Sequence, residues 1–346
     1  MTPHRIPFPV SPTEARHLAA GLLGLIDAEG GPTAEQHRVF SAVASHLLAL
    51  EDSQLQELEP LAPGALAAVL PEPCWRRLFL QMGLILDLCR HPKSESQLQR
   101  LEAYARALEI DPPQLQIVRD FAHCSAAEAT ARFVRAYDAY IPELSERQAG
   151  VPGPGEAQGD DAFFAALDQL PSLPYGSLGW AFVQLYERNG MAMPSRETPN
   201  PRYYVCHDMN HVITGYEPTG PGEIALGAFK LALNNSDANW MASLTNVLIH
   251  EVGLFKHGTN HQFVAYGGGG EPYHGVNGRL GALDLPGSTA LFGEALVRGS
   301  ACRGDFSQLD HLAMAAEPLR EIRRRFNVLP LRKPMIDQPD LWPELA

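Results

Sequence analysis

The stretch Tyr203-Tyr-Val-Cys-His207-Asp208-Met-Asn-His211-Val-Ile-Thr-Gly215, followed after a short turn by Gly222-Glu223-Ile-Ala-Leu-Gly-Ala-Phe-Lys230, is where the reading of the chain begins. At ~3.6 residues per turn, His207 and His211 stack on one helical face, and Asp208, three residues before His211, flanks it. Gly215 predicts a helix stop, Pro218 and Pro221 prevent continuation, and Glu223 falls in the first turn of a second, apolar helix. An antiparallel hairpin of the two would return Glu223 beside His211. The spacing thus predicts two helices that gather two imidazoles and two carboxylates around one point.

Working outward, apolar residues recur at helical spacing over 16–50, 74–108, 126–144, 163–189 and again after Tyr203, while alternating β-branched runs are nearly absent. An all-α fold is expected. The densest Pro and Gly punctuation, Gly-Val-Pro-Gly-Pro-Gly-Glu at 150–156, is the best linker. It divides the chain into a smaller helical domain, 1–150, and a helical metal-binding domain, 151–346. The first half carries a weak internal duplication: GLLGLIDAEGGPTAEQ (21–36) and QMGLILDLCRHPKSESQ (81–97) each run from an apolar helix through an Asp and a Pro turn into a new helix. Thr33 with Gln36, and Ser94 with Gln97, are spaced for capping boxes at the new helix starts. This pattern resembles the TerB-like domain of tellurite-resistance proteins, in which acidic turn residues sit between paired helices. The second turn lacks the acidic pair of the first, so Asp27, Glu29 and Asp87 are read as solvated turn residues.

With 45% hydrophobic and 19% charged residues, the chain can bury a sizeable interior. Lys plus Arg number 27 against 40 Asp plus Glu, and the net charge of −13 disfavours nucleic acid as a partner. Five scattered cysteines without a CxxC pair argue against a disulfide framework or a thiolate zinc site, and a reducing cytoplasm fits best. The N-terminus shows no signal-peptide pattern. The longest apolar run, 78–89, is broken by Gln81, Gly83 and Asp87 and falls short of the ~20 residues of a spanning helix. Membrane contact is therefore expected to be peripheral, on the inner face.

His207, Asp208, His211 and Glu223 make a borderline N/O ligand set suited to a divalent metal, zinc first, with iron, cobalt or manganese also compatible. Two other histidine motifs share part of this spacing. In the HExxH zinc peptidases the second residue is a Glu base, and Asp208 is one methylene short for that role. The His-Asp phosphohydrolases draw their further ligands from separate helices, whereas this chain supplies its candidates at once. The spacing HDxxH, eleven residues, then Glu resembles the Coq-four family of ubiquinone-biosynthesis proteins. The likeness extends to Leu-Pro-Ser-Leu-Pro-Tyr-Gly-Ser-Leu-Gly at 170–179 and to Glu-Pro-Leu-Arg-Glu-Ile-Arg-Arg-Arg-Phe-Asn-Val at 317–328. It covers roughly residues 160–335.

That resemblance implies a helical fold, a divalent metal at these four residues, a prenylated quinone precursor as substrate and other quinone-biosynthesis proteins as partners. It also implies metal-dependent oxidative decarboxylation of a polyprenylated 4-hydroxybenzoate-derived ring. The apolar helices around Phe229 are expected to accept the prenyl tail, and a non-catalytic lipid-binding scaffold is the competing reading. A homodimer is left open. Two features depart from the family pattern: the additional N-terminal third, and His250-Glu251-x5-His257-x3-His261. His250, Glu251 and His257 are candidate catalytic groups; the cluster reads either as a second metal site or proton relay, or as a hydrogen-bonded wall. The Gly-rich run at 267–270 lacks the Lys and Ser/Thr of a phosphate-binding loop.

Overall fold

A computed structural model of the protein describes residues 10–28, 30–91, 93–124, 126–146, 157–253 and 281–331. Its helices are α1 (Pro12–Ile26), α2 (Ala34–Ala42), α3 (Asp52–Gln56), α4 (Pro63–Val69), α5 (Pro73–Leu88), α6 (Glu95–Ala107), α7 (Pro113–His123), α8 (Ala126–Asp138), α9 (Ile141–Leu144), α10 (Ala157–Gln169), α11 (Leu178–Arg188), α12 (Pro201–Thr214), α13 (Gly220–Leu233), α14 (Asp237–His250), α15 (Ser288–Ala301) and α16 (Leu319–Phe326). Among the described residues there is no strand, and the expected all-α class holds.

The chain forms two compact units that alternate along the sequence: residues 1–136 with 218–300, and residues 137–217 with 301–346. This division by packing differs from the sequence division at residue 150, because residues 218–300 join the first helices.

In the first unit α1 packs on α4, α5 and α6, α2 packs on α5, and α14 lies on both α5 and α13. The duplicated turns organise this core. Thr33 caps α2 by accepting from the Gln36 N–H at 3.1 Å, while Gln36 Oε1 accepts from the Thr33 N–H at 3.0 Å, which is the expected reciprocal box. The second turn is only half a box: Ser94 Oγ accepts from the Gln97 N–H at 3.3 Å, but the Gln97 amide turns inward instead. Gln97 Nε2 donates to Leu25 O at the end of α1 (2.9 Å), and Gln36 Nε2 donates to Leu86 O near the end of α5 (3.0 Å). Each repeat therefore satisfies a carbonyl of the other. Both glutamines are wholly buried.

One expectation in this unit needs correction. Asp87 is buried, with Lys93 Nζ at 3.7 Å, and desolvation raises its pKa; it lies on the inner face of α5 rather than in the solvated turn. Phe229 is fully buried beneath the Arg298 guanidinium, which lies 5.6 Å from its ring centroid. Asp27 is the exposed C-cap of α1. Glu29, the 150–156 linker, His257 and His261 lie outside the described residues.

In the second unit α12 packs on α9, α11 and α16. Ser177 caps α11 by accepting from the Trp180 N–H. A short antiparallel bridge ties the 170–179 motif to the 317–328 motif: Leu178 N–H donates to Glu317 O and Leu319 N–H to Gly176 O, both at 2.9 Å. Gly179 is needed where the chains meet, since a Cβ there would lie 2.5 Å from Leu173 Cδ1 and 3.2 Å from Ala315 O.

Every residue of α13 is buried, and α14 is seated on α5. A truncated chain beginning at residue 157 would strip α1 and α5 from these apolar helices. It is expected to aggregate on expression, as judged by size-exclusion chromatography; recovery of a monodisperse helical species would show that residues 218–300 do not depend on the N-terminal helices.

Candidate metal centre

Pro201 opens α12 after Asn200, whose positive φ of 51° turns the chain into the helix, and Gly215, at φ 85°, closes it with its N–H on His211 O. The predicted stop is therefore the observed one. Nearly all of α12 is buried, and His207 and His211 stand one turn apart with their rings edge to face, centroids 4.8 Å apart.

His211 is fully buried, and its Nδ1 lies 3.0 Å from Tyr216 O. A carbonyl can only accept, so Nδ1 carries the proton and Nε2 presents a lone pair. That lone pair points to His207 Nε2, 3.2 Å away. His207 in turn stacks on Tyr203, centroids 5.8 Å apart and planes within 19°. Asp208 offers an oxygen to the same group, with the ligand atoms of all three residues within 4.8 Å of one another. The Tyr186 hydroxyl donates to Asp208 Oδ2. Burial, and then the Asp208 charge, push the Tyr204 phenol up to about 12.

These three side chains fit a divalent cation. Tetrahedral bonds of ~2.0–2.1 Å place two nitrogens roughly 3.3 Å apart, close to the observed separation. The Tyr216 carbonyl and the Tyr186 hydroxyl are the outer partners that fix tautomer and orientation in such sites. Glu223, the fourth expected ligand, is buried in the first turn of α13, and the Asn246 amide donates to its backbone carbonyl at 2.6 Å. It belongs to the other unit.

No protein-family model matches the chain. A ubiquinone biosynthesis protein COQ4 of Paracoccidioides brasiliensis is 35% identical over 78 residues, 19% of this chain and 27% of the relative. A second, of Talaromyces marneffei, is 32% identical over 75 residues, 18% and 26%. The partial likeness is to COQ4. The matched stretch spans about a quarter of the length of these relatives. A solved protein of Nostoc punctiforme aligns over 73% of this chain and 97% of its own at 17% identity, with a TM-score of 0.29, too low to argue a shared fold.

The COQ4-like motif gave no pointer to a second cluster in the same unit. Glu146, Cys206 and His311 are all buried and lie within ligand distance of one another. Here both histidine nitrogens face acceptors: Nδ1 meets Glu146 Oε2 at 2.7 Å and Nε2 meets Phe306 O at 2.8 Å. Burial opposes charge on His311, yet the Glu146 carboxylate raises its pKa well above the ordinary histidine range. His311 is thus an imidazolium with no lone pair to give a metal. It braces α12 from behind, where Cys206 Sγ donates to Ser307 O at 3.3 Å and Asn210 Nδ2 at 3.1 Å. Arg323 adds a further tie, donating to Val212 O and Ile213 O in the last turn of α12. No local spacing could reveal a pair 165 residues apart.

The remaining sequence candidates lie elsewhere. His250 ends α14 and is buried, and Glu251 follows it, fully buried, with its carboxylate 2.6 Å from His91 Nε2.

Because the folded pKa of His311 lies above its unfolded value of ~6.5, the pair's stabilisation is complete below that pH and is lost as pH rises through the folded value. Glu146→Gln should cost on the order of 3 to 5 kcal/mol by leaving a buried charge unpaired. The thermal midpoint of the wild type should also fall more steeply from pH 7 to 10 than that of the variant. Parallel pH profiles would show that the pair is not ionic.

Proposed function

We propose that this protein acts in ubiquinone or related quinone biosynthesis, binding one divalent metal, zinc by ligand chemistry, through His207, Asp208, His211 and Glu223. The single observation that carries the metal is the locked tautomer of His211, which aims Nε2 at His207 Nε2 3.2 Å away. Glu223 enters on the motif spacing, and the pathway enters on the partial likeness to COQ4 proteins.

The substrate is a polyprenylated 4-hydroxybenzoate-derived precursor, and the reaction removes the ring carboxylate as CO₂ while an oxygen-atom donor places a hydroxyl at the same carbon. When bound, the metal would supply a positive centre that offsets charge on the ring carboxylate. The chain's own residues prepare for this. Tyr216 O and the Tyr203 ring hold the two imidazoles in place, and Tyr186 orients Asp208. No described helix is long and apolar enough to cross a membrane, so a lipid-tailed substrate would be met at the membrane face, alongside other quinone-pathway proteins.

Wild-type protein should carry one metal equivalent that His211→Ala removes, as read by elemental mass spectrometry. In a strain lacking its own COQ4 protein, wild type should restore quinone, whereas Glu223→Ala should let a carboxylated precursor accumulate in the lipid extract. Full rescue by a folded, metal-free Glu223→Ala variant would instead support a non-catalytic lipid scaffold.

A further inference from the structure

Glu35, His91 and Glu251 converge in the first unit, on chain segments unrelated to the α12 motif. Glu35 is in the first turn of α2, His91 follows the end of α5, and Glu251 caps α14. Their ligand atoms lie within 4.8 Å of one another. Glu251 has no exposed surface; its Oε1 is 2.6 Å from His91 Nε2, and its Oε2 accepts from the Leu283 N–H at 2.8 Å. A Cβ at residue 281 would collide with this carboxylate, so Gly281 is what admits it.

Two further observations point to a missing ligand. Glu35 is over nine-tenths buried, and no N–H or hydroxyl donor reaches its Oε1; it faces Glu251, a contact that a shared proton or a cation must hold together. His91 Nδ1, the ring nitrogen other than the one at Glu251, is also without a partner. An unmatched buried carboxylate oxygen is costly, and a second carboxylate at ligand distance adds repulsion. Nearby cations are engaged elsewhere, Lys93 beside Asp87 and Arg38 with Asp284. We propose that Glu35, His91 and Glu251 form a second divalent-metal site, taking a first-row cation of the zinc or manganese class.

One imidazole and two carboxylates favour such an ion over Mg²⁺ or Ca²⁺, which prefer all-oxygen shells. Desolvation lowers the His91 pKa, keeping the ring neutral and able to ligate. Desolvation and the facing Glu251 charge hold Glu35 protonated up to about 8 in the metal-free protein, so the cation takes the place of a shared proton. Ligand bonds near 2.1 Å require the His91–Glu251 contact to open from 2.6 Å by roughly 0.4 to 0.8 Å, between octahedral and tetrahedral angles. The ion would pin α2, the turn after α5 and the end of α14 to one point.

The test uses full-length, chelator-stripped protein in a His211→Ala background, so that the α12 motif does not contribute. After loading with zinc chloride and desalting, the parent should retain one zinc per chain with a raised thermal midpoint. Adding Glu35→Gln should abolish both, as should adding His91→Gln at a partly exposed position that the fold tolerates. In the metal-free state Glu35→Gln should melt no lower than its parent, since the change removes a carboxylate facing Glu251. Zinc retention unchanged by Glu35→Gln or by His91→Gln overturns the proposal. So does a parent that retains no zinc, which would leave the two carboxylates sharing only a proton.

Discussion

Two buried amides, Gln36 and Gln97, carry the constraint from which the first unit follows. The last carbonyls of α1 and α5 face the interior, where an unmade hydrogen bond costs on the order of 1–3 kcal/mol. Each glutamine answers the carbonyl of the opposite repeat. Gln36 also closes the capping box of α2, so the start of that helix is drawn into the core and its neighbour Glu35 goes with it. Arg90, donating to Gly31 O and Gln36 Oε1, fixes the turn that presents His91. The three-residue cluster is thus a by-product of how two helix ends are satisfied.

The two fully described histidine sites show how a hydrogen bond decides chemistry. His211 donates from Nδ1 to the Tyr216 carbonyl and turns Nε2 toward His207, beside the Asp208 carboxylate. His311 donates from both nitrogens, one to a carboxylate, and is committed as a charge. The residue type is the same and the burial is the same. Only the acceptors differ, and they leave one ring with a nitrogen facing His207 and commit the other to a structural ion pair.

What was legible in the sequence was local. The faces of α12, the Gly215 stop and the Thr33 box depend on residues within one turn, and spacing suffices to find them. The Ser94 box failed by half because Gln97 had a better acceptor, Leu25 O, 72 residues away. Asp87 departs from its expected place for a related reason: its position before a Pro turn suggests solvent, yet packing turns it inward toward Lys93. Glu251 could be flagged as an ionisable group near histidines, but its real partner is His91, 160 residues distant, which no periodicity encodes.

The alternation of the two units has a consequence for how the protein is made. On a ribosome the helices α1 to α7 emerge first, but α5 lacks α14 until residue 250 has been synthesised. By then the whole 137–217 segment is also out, and that segment must wait for α16 to cover the end of α12. Neither core can be finished before synthesis of the other is well advanced, so the nascent chain holds apolar helix faces open for most of its length. Long-range packing of this kind delays folding relative to a chain of local contacts.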